Sequence, residues 1–161
     1  MRYIHYILFL IVVLNVSCNH SIKSKSTNKY CDSAFIQNSK LWLAYYDTTD
    51  YLMRGAKLDS IKDDYHLIIE ALNYRYSPVK LIMQKKTNDT LYLKIDSSFI
   101  FTQRWGTYGA NAFLATTIFS LTENKEIRCV YLDFEEGDHS GPPGYFTRKD
   151  FEKGYKIENC D

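Results

Sequence analysis

The stretch ANAFLATTIFSLTEN, Ala110 to Asn124, constrains the fold more than any other part of the chain. Ala112, Phe113, Ala115, Thr116 and Phe119 are apolar or small, and Leu114, Ile118 and Leu121 fill the positions between them. A helix that is apolar almost all round must be covered on most sides, so it is expected to lie against a sheet as the central core helix. Glu126 to Phe134 (EIRCVYLDF) follows directly and reads as a strand with apolar residues on both faces, hence a central one.

The rest of the chain supplies partners for that pair. Lys40 to Asp47 (KLWLAYYD) reads as an aromatic-rich strand that runs into the turn-forming cluster DTTD. In Asp59 to Asn73, apolar Ile61, Tyr65, Ile68, Ile69 and Leu72 recur with helical period, with Asp59 or Ser60 as the N-cap. Ser77-Pro78 closes that region, because a residue before proline is pushed out of helical geometry. Val79–Lys86 and Thr90–Phe99 flank the turn Thr87–Asp89 and predict a hairpin. Within it Leu91, Leu93 and Ile95 alternate with Tyr92 and Lys94, one face buried and the other wet. Thr102–Gly109 and the Gly- and Pro-containing Glu135–Phe151 read as loops, the second leading to a short final strand near Gly154–Ile157. This order predicts an α+β fold: a single two-layer domain, a mixed sheet of about four strands with two helices packed on one face.

The N-terminus is set apart from the domain. Arg2 precedes the apolar run Ile7–Leu14, which Ser17 and Cys18 close. Even Tyr3 to Val16 falls short of the roughly 20 residues a spanning helix needs, so residues 1–17 read as a cleaved secretory signal peptide. The Ser17-Cys18 junction resembles the lipobox of bacterial lipoproteins, in the looser form of Bacteroidetes lipoproteins, since Asn15 stands where an aliphatic residue is usual. That resemblance implies lipidation of Cys18 and a membrane anchor in the cell envelope, periplasmic or surface-facing; without lipidation the chain is secreted. Residues 18–29 are polar and read as a tether, leaving residues 30–161 as the domain.

Loss of residues 1–17 removes Arg2 and no acid, so the formal charge falls from +1 to 0. No strong field or basic cluster exists to draw in nucleic acid, which is rejected as a partner. With Cys18 assigned, Cys31 and Cys160 stand at the two ends of the domain and are a candidate disulfide in an exported protein. Cys129, within a strand, reads as a buried free thiol. Zinc-ligand spacings, nucleophile-elbow patterns and phosphate-binding glycine loops are absent, so no cofactor is implied.

LYLKIDSSFIF, the loop WGTYG, the helix LATTIFSLTEN and the strand EIRCVYLDFEEG resemble the GerMN domain. Asp96, Ser97 and Ser98, then Ser120 to Glu123, then Val130 to Gly137 occupy the matching motif positions. The resemblance runs through Leu91–Phe134 and extends over Lys40 to about Phe151. It implies an exported, envelope-associated module, without established catalytic residues, that binds a ligand or partner.

Two groups of residues are candidate sites. Arg104, Trp105, Tyr108, Tyr145, Phe146 and Arg148 lie in glycine-containing loops and are candidates for an aromatic binding cleft. Glu135, Glu136, Asp138 and His139 follow a strand end and are the candidate metal or acid–base group of the alternative, an exported metal-dependent hydrolase. The leading expectation is a non-enzymatic envelope lipoprotein that binds a protein or cell-wall partner. A structural or inhibitor protein of the envelope is the third.

Overall fold

In the computed structural model, which describes residues 28–160, the chain builds two small sheets that share one helix. The elements in chain order are α1 (Ala34–Gln37), β1 (Trp42–Asp47), β2 (Thr49–Arg54), α2 (Tyr65–Arg75), β3 (Lys80–Thr87), β4 (Thr90–Asp96), α3 (Gly106–Leu121), β5 (Cys129–Asp133), β6 (Gly144–Phe146), α4 (Lys149–Glu152) and β7 (Lys156–Asn159). The signal peptide, Cys18 and the tether as far as residue 27 lie outside the described residues. No helix among the described residues is long and apolar enough to cross a membrane.

The α+β class holds, and the strands divide between two sheets. A mixed four-stranded sheet is present in the order β3-β4-β5-β6, but its fourth strand, β6, comes from the stretch Glu135–Phe151 that reads as a loop, and β1, expected in it, joins the C-terminal strand in a second sheet, β1-β2-β7. β2 was unexpected, because DTTD reads as the end of a strand. Thr48 alone turns the chain, with a left-handed φ of 44°, and Thr49 pairs straight back to Asp47. Leu52, Met53 and Arg54 are then buried in succession, so both faces of β2 are covered.

In the four-stranded sheet β4 and β5 are parallel neighbours, and the chain between them makes a crossover through α3. The expected loop Thr102–Gly109 is mostly helical. Ile100–Arg104 form a wide π turn, and α3 begins at Gly106, whose φ of 70° favours glycine. From Phe113 to Leu121 every residue of α3 is buried, as an all-round apolar helix requires. Leu81, Leu91, Leu93, Ile95, Val130 and Leu132 bury the inner face of the sheet. β5 is central in order, but its outer face is not covered. Cys129 begins the strand as a half-buried free thiol, pushed up in pKa chiefly by that burial, and is not the fully buried cysteine expected.

α3 also closes the free edge of β1. The Trp42 N–H donates to Ser120 Oγ at 3.0 Å and the Ala44 N–H to Thr116 Oγ1 at 3.3 Å. Four residues of helix rise about 6 Å and two residues of strand about 6.8 Å, so the two spacings match and each exposed strand donor meets a hydroxyl. Asn73 of α2 does the same for β3, accepting from the Leu81 N–H (2.7 Å) and donating to its carbonyl (3.0 Å). Uncovered strand edges invite association, and both are blunted here by side chains from helices.

Helix α2 starts later than its periodicity predicts. Asp64, not Asp59 or Ser60, is the N-cap and accepts from His66 N–H and Leu67 N–H. Leu58–Ser60 form a separate 3-10 turn, and the Asp59 carboxylate is engaged by Arg54 and Lys62. At the other end of the chain β7 pairs parallel to β2, which brings Cys160 to Cys31. The two form a disulfide with a Cα–Cα distance of 5.1 Å, closing 129 residues of sequence separation.

Candidate functional site

The six residues singled out as a cleft have separate partners. Arg104 lies over the Phe99 ring, and Trp105 packs on Tyr76 and Phe113. Tyr108 meets Tyr46 edge-on, and Phe146 stacks on Phe151. Tyr145 points the other way, because consecutive strand residues face opposite sides, and it meets Tyr131. One aromatic cleft lined by all six is therefore not formed.

Arg148 is turned inward. Its Nη2 donates to Glu123 Oε2 (2.6 Å) and the Phe119 carbonyl (3.0 Å), its Nε to Thr122 Oγ1 (2.8 Å), and its guanidinium lies over the Phe119 and Trp42 rings. Glu123 also accepts from Trp42 Nε1 and from Arg54 Nε. Burial alone would raise the Glu123 pKa, but these three donors outweigh it and hold the carboxyl below its usual range. Arg54 is buried as well; Asp59 and Glu123 overcome that burial and hold it firmly charged. The group is a structural clasp on the C-terminal end of α3.

The Glu135–His139 loop is tied down by its backbone. Glu135 N–H donates to Ser98 Oγ and His139 N–H to the Thr102 carbonyl, while Gly137 lies so close to Thr102 that a Cβ there would sit 2.8 Å from it. The Glu135, Glu136 and Asp138 side chains are exposed, and the His139 ring meets Thr107 Oγ1 at 3.3 Å. Among the described residues no group of three or more His, Cys, Asp or Glu side chains is gathered to hold a metal ion.

Two other places stand out. On the outer face of the four-stranded sheet, the register aligns Lys85 with Tyr92, Tyr92 with Tyr131, and Tyr131 with Tyr145, one row across all four strands. The ring centroids lie 5.5 Å and 4.9 Å apart, Lys85 Nζ sits 4.6 Å over the Tyr92 ring, and Tyr145 is 63% exposed. The Tyr92 and Tyr145 hydroxyls meet at 3.5 Å, which raises the Tyr92 pKa. The alternation of β4 turns Tyr92 outward in the sequence; the row itself needs the register.

The second place is a recess of about 220 Å³ lined by Asp50, Tyr108, Asn111, Asp150, Phe151, Gly154 and Tyr155. Asp150 Oδ2 already accepts from the Thr147 N–H and hydroxyl. Asp50 Oδ1 is shielded from solvent and has no hydrogen-bond partner. Burial, and then the Asp50 charge, raise the Tyr108 pKa; burial, helped by Tyr108 and Asp50, raises that of Tyr155, so both phenols stay neutral. Of these lining residues, only Tyr108 was singled out in the sequence.

Comparison with family models, with curated proteins and with solved structures finds no match to this chain.

Proposed function

We propose that the chain is an exported cell-envelope lipoprotein, anchored through Cys18, whose domain binds a protein partner on the open face of the four-stranded sheet. The leader over residues 1–17, ending at Ser17-Cys18, supports export and anchoring. The GerMN resemblance of Leu91–Phe134 supports an envelope module of the binding kind. The single observation that carries the binding reading is the row Lys85–Tyr92–Tyr131–Tyr145. Tyrosine offers a large contact area for little lost side-chain entropy and is enriched where protein interfaces concentrate their affinity. Ile82, 44% exposed and two strands from Asp133 through Lys94, extends the surface with an apolar patch and a charged rim.

A photo-crosslinking phenylalanine analogue at position 145 tests this in intact cells. One discrete adduct, lost when Tyr92 and Tyr131 are changed to Ser and absent when the analogue stands at the 90%-exposed Tyr74 of α2, is expected. Equal adducts from positions 145 and 74 would overturn the sheet face as the interface. Labelled palmitate entering the wild-type chain but not Cys18→Ala tests the anchor separately. The hydrolase alternative predicts a melting shift with divalent cations that Glu136→Ala and His139→Ala abolish.

A further inference from the structure

We propose that β7 is a self-pairing edge: two copies of this chain join antiparallel through it, Ile157 against Ile157, about a two-fold axis. The two small sheets then run on as one, in the order β1-β2-β7-β7-β2-β1.

This edge is open where the others are closed. Hydroxyls of α3 accept from β1, and Asn73 holds β3. β6 is three residues long and follows Pro142-Pro143, which have no N–H to offer. β7 pairs with β2 along one side, and among the described residues neither a strand nor a helix side chain hydrogen-bonds to its other side. Ile157 stands beside fully buried Leu52 yet is itself 37% exposed, so the buried face of this sheet ends at the edge in a partly uncovered apolar side chain.

Charge fixes both the occupant and the register. Lys156 and Glu158 share the other face of β7, two residues apart, and bridge each other at 3.2 Å. With the axis at Ile157, Lys156 comes opposite the second copy's Glu158, and Glu158 opposite its Lys156. An axis one residue either way sets Lys156 on Lys156 or Glu158 on Glu158, and like charges directly opposite are destabilising. A cation, an apolar residue and an anion in sequence are complementary to themselves about their own centre, as an interface between identical surfaces requires.

The start of the described chain agrees with this arrangement. An axis at Ile157 stands perpendicular to the sheet, so each copy keeps the same face on the same side. Asn28, Lys29 and Tyr30 line a recess with Lys156 and Glu158 on that face. Both chains therefore enter their domains from one side of the joined sheet, as two anchors in one membrane demand. Only this last point rests on the proposed anchor. The tyrosine row lies on the other sheet and takes no part.

Four residues a side make a small contact, so the pairing is read by covalent capture in intact cells and not in dilute solution. A photo-crosslinking phenylalanine analogue replaces exposed Asn159 in the full-length chain, which leaves Ile157 and both charges in place. An adduct of twice the chain mass is expected, its second end mapping by mass spectrometry to residues 154–156, because the axis sets 159 opposite 155. Lys156→Glu or Glu158→Lys alone places like charges opposite each other in both pairs and should cut the yield about tenfold. The two variants made together, with the analogue in one of them, should pair with each other at close to the wild-type yield. That rescue restores no ion pair within either chain, so a purely structural role for the Lys156–Glu158 bridge does not produce it. An absent adduct, a second end mapping elsewhere, a different protein in place of the second copy, either variant pairing with itself as readily as wild type, or a mixture without rescue would each overturn the proposal.

Discussion

Arg148 Nη2 lies 2.6 Å from Glu123 Oε2, and this contact joins the segment after β6 to the C-terminal end of α3. Glu123 meanwhile holds Arg54 of β2, and Arg54 holds Asp59 at 2.7 Å. The four side chains connect parts of the chain that no single strand pairing brings together. Glu123 is 18% exposed and Arg54 only 7%, so little solvent screens the pair.

Removing one member should therefore hurt more than a surface ion pair would. Glu123→Leu takes a carboxylate partner from buried Arg54 and an acceptor from Arg148 and Trp42, and is expected to lose about 3–5 kcal/mol of stability. Urea unfolding followed by tryptophan fluorescence measures it directly, since Trp42 donates to Glu123. A loss below about 1 kcal/mol would place the pair with exposed salt bridges.

The same carboxylates set an acid limb. Hydrogen bonds from Arg54 and Lys62 lower Asp59 from 3.8 to about 2, and Glu123 is also lowered, so both are easier to ionise folded than unfolded. Their stabilisation is complete above the unfolded values and fades as pH falls through the folded ones. Melting temperature should hold down to about pH 5 and drop between about pH 4 and pH 2. Asp59→Asn should soften that drop only slightly, because its side chain is 57% exposed.

Reducing Cys31–Cys160, or changing either to Ser, frees the chain ends across 129 residues of sequence separation. A stability loss of about 2–5 kcal/mol is expected, read as the difference between guanidinium unfolding with and without a reductant. Cys129, on β5, takes no part, and Cys129→Ser should leave that difference unchanged.

At the edge of β1, Thr116→Val with Ser120→Ala strips the acceptors from the Trp42 and Ala44 N–H groups. About 1–3 kcal/mol per orphaned donor should be lost, while Thr116→Ser keeps the hydroxyl and most of the stability. Native-state hydrogen exchange at residues 42 and 44 reports the change site by site; unchanged protection there would show that α3 does not close the edge through these hydroxyls.

The outer sheet face should behave in the opposite way. Tyr145→Ser removes a side chain that is 63% exposed and is expected to change stability by less than about 0.5 kcal/mol. Its effect belongs in the crosslinking and binding measurements, and a large stability loss would mark the row as structural.

Much of the fold is local in origin and legible in the chain. Apolar residues all round α3 demand cover, and alternation in LYLKID turns Leu91, Leu93 and Ile95 to one side, which is the buried one. The hairpin at Asn88 follows from its turn residues. β2 is not legible, because its reversal depends on one left-handed threonine, a conformation that side-chain type does not announce. The start of α2 moves because Asp59 serves Arg54, a contact between residues in different elements. Among the candidate site residues, Cys31 and Cys160 pair as their places at the domain ends suggest, whereas Arg148 is a half-buried tie to Glu123.

Short-range chemistry in the chain determined the α+β class, the core helix and the inward faces of its hairpin, because periodicity and turn propensity act over a few residues. Tertiary structure decided the division into two sheets, the tyrosine row and the recess at Asp50. Each of these arises where residues far apart in sequence meet, and strand register and helix docking are set by the packing of the whole core, not by any segment within it.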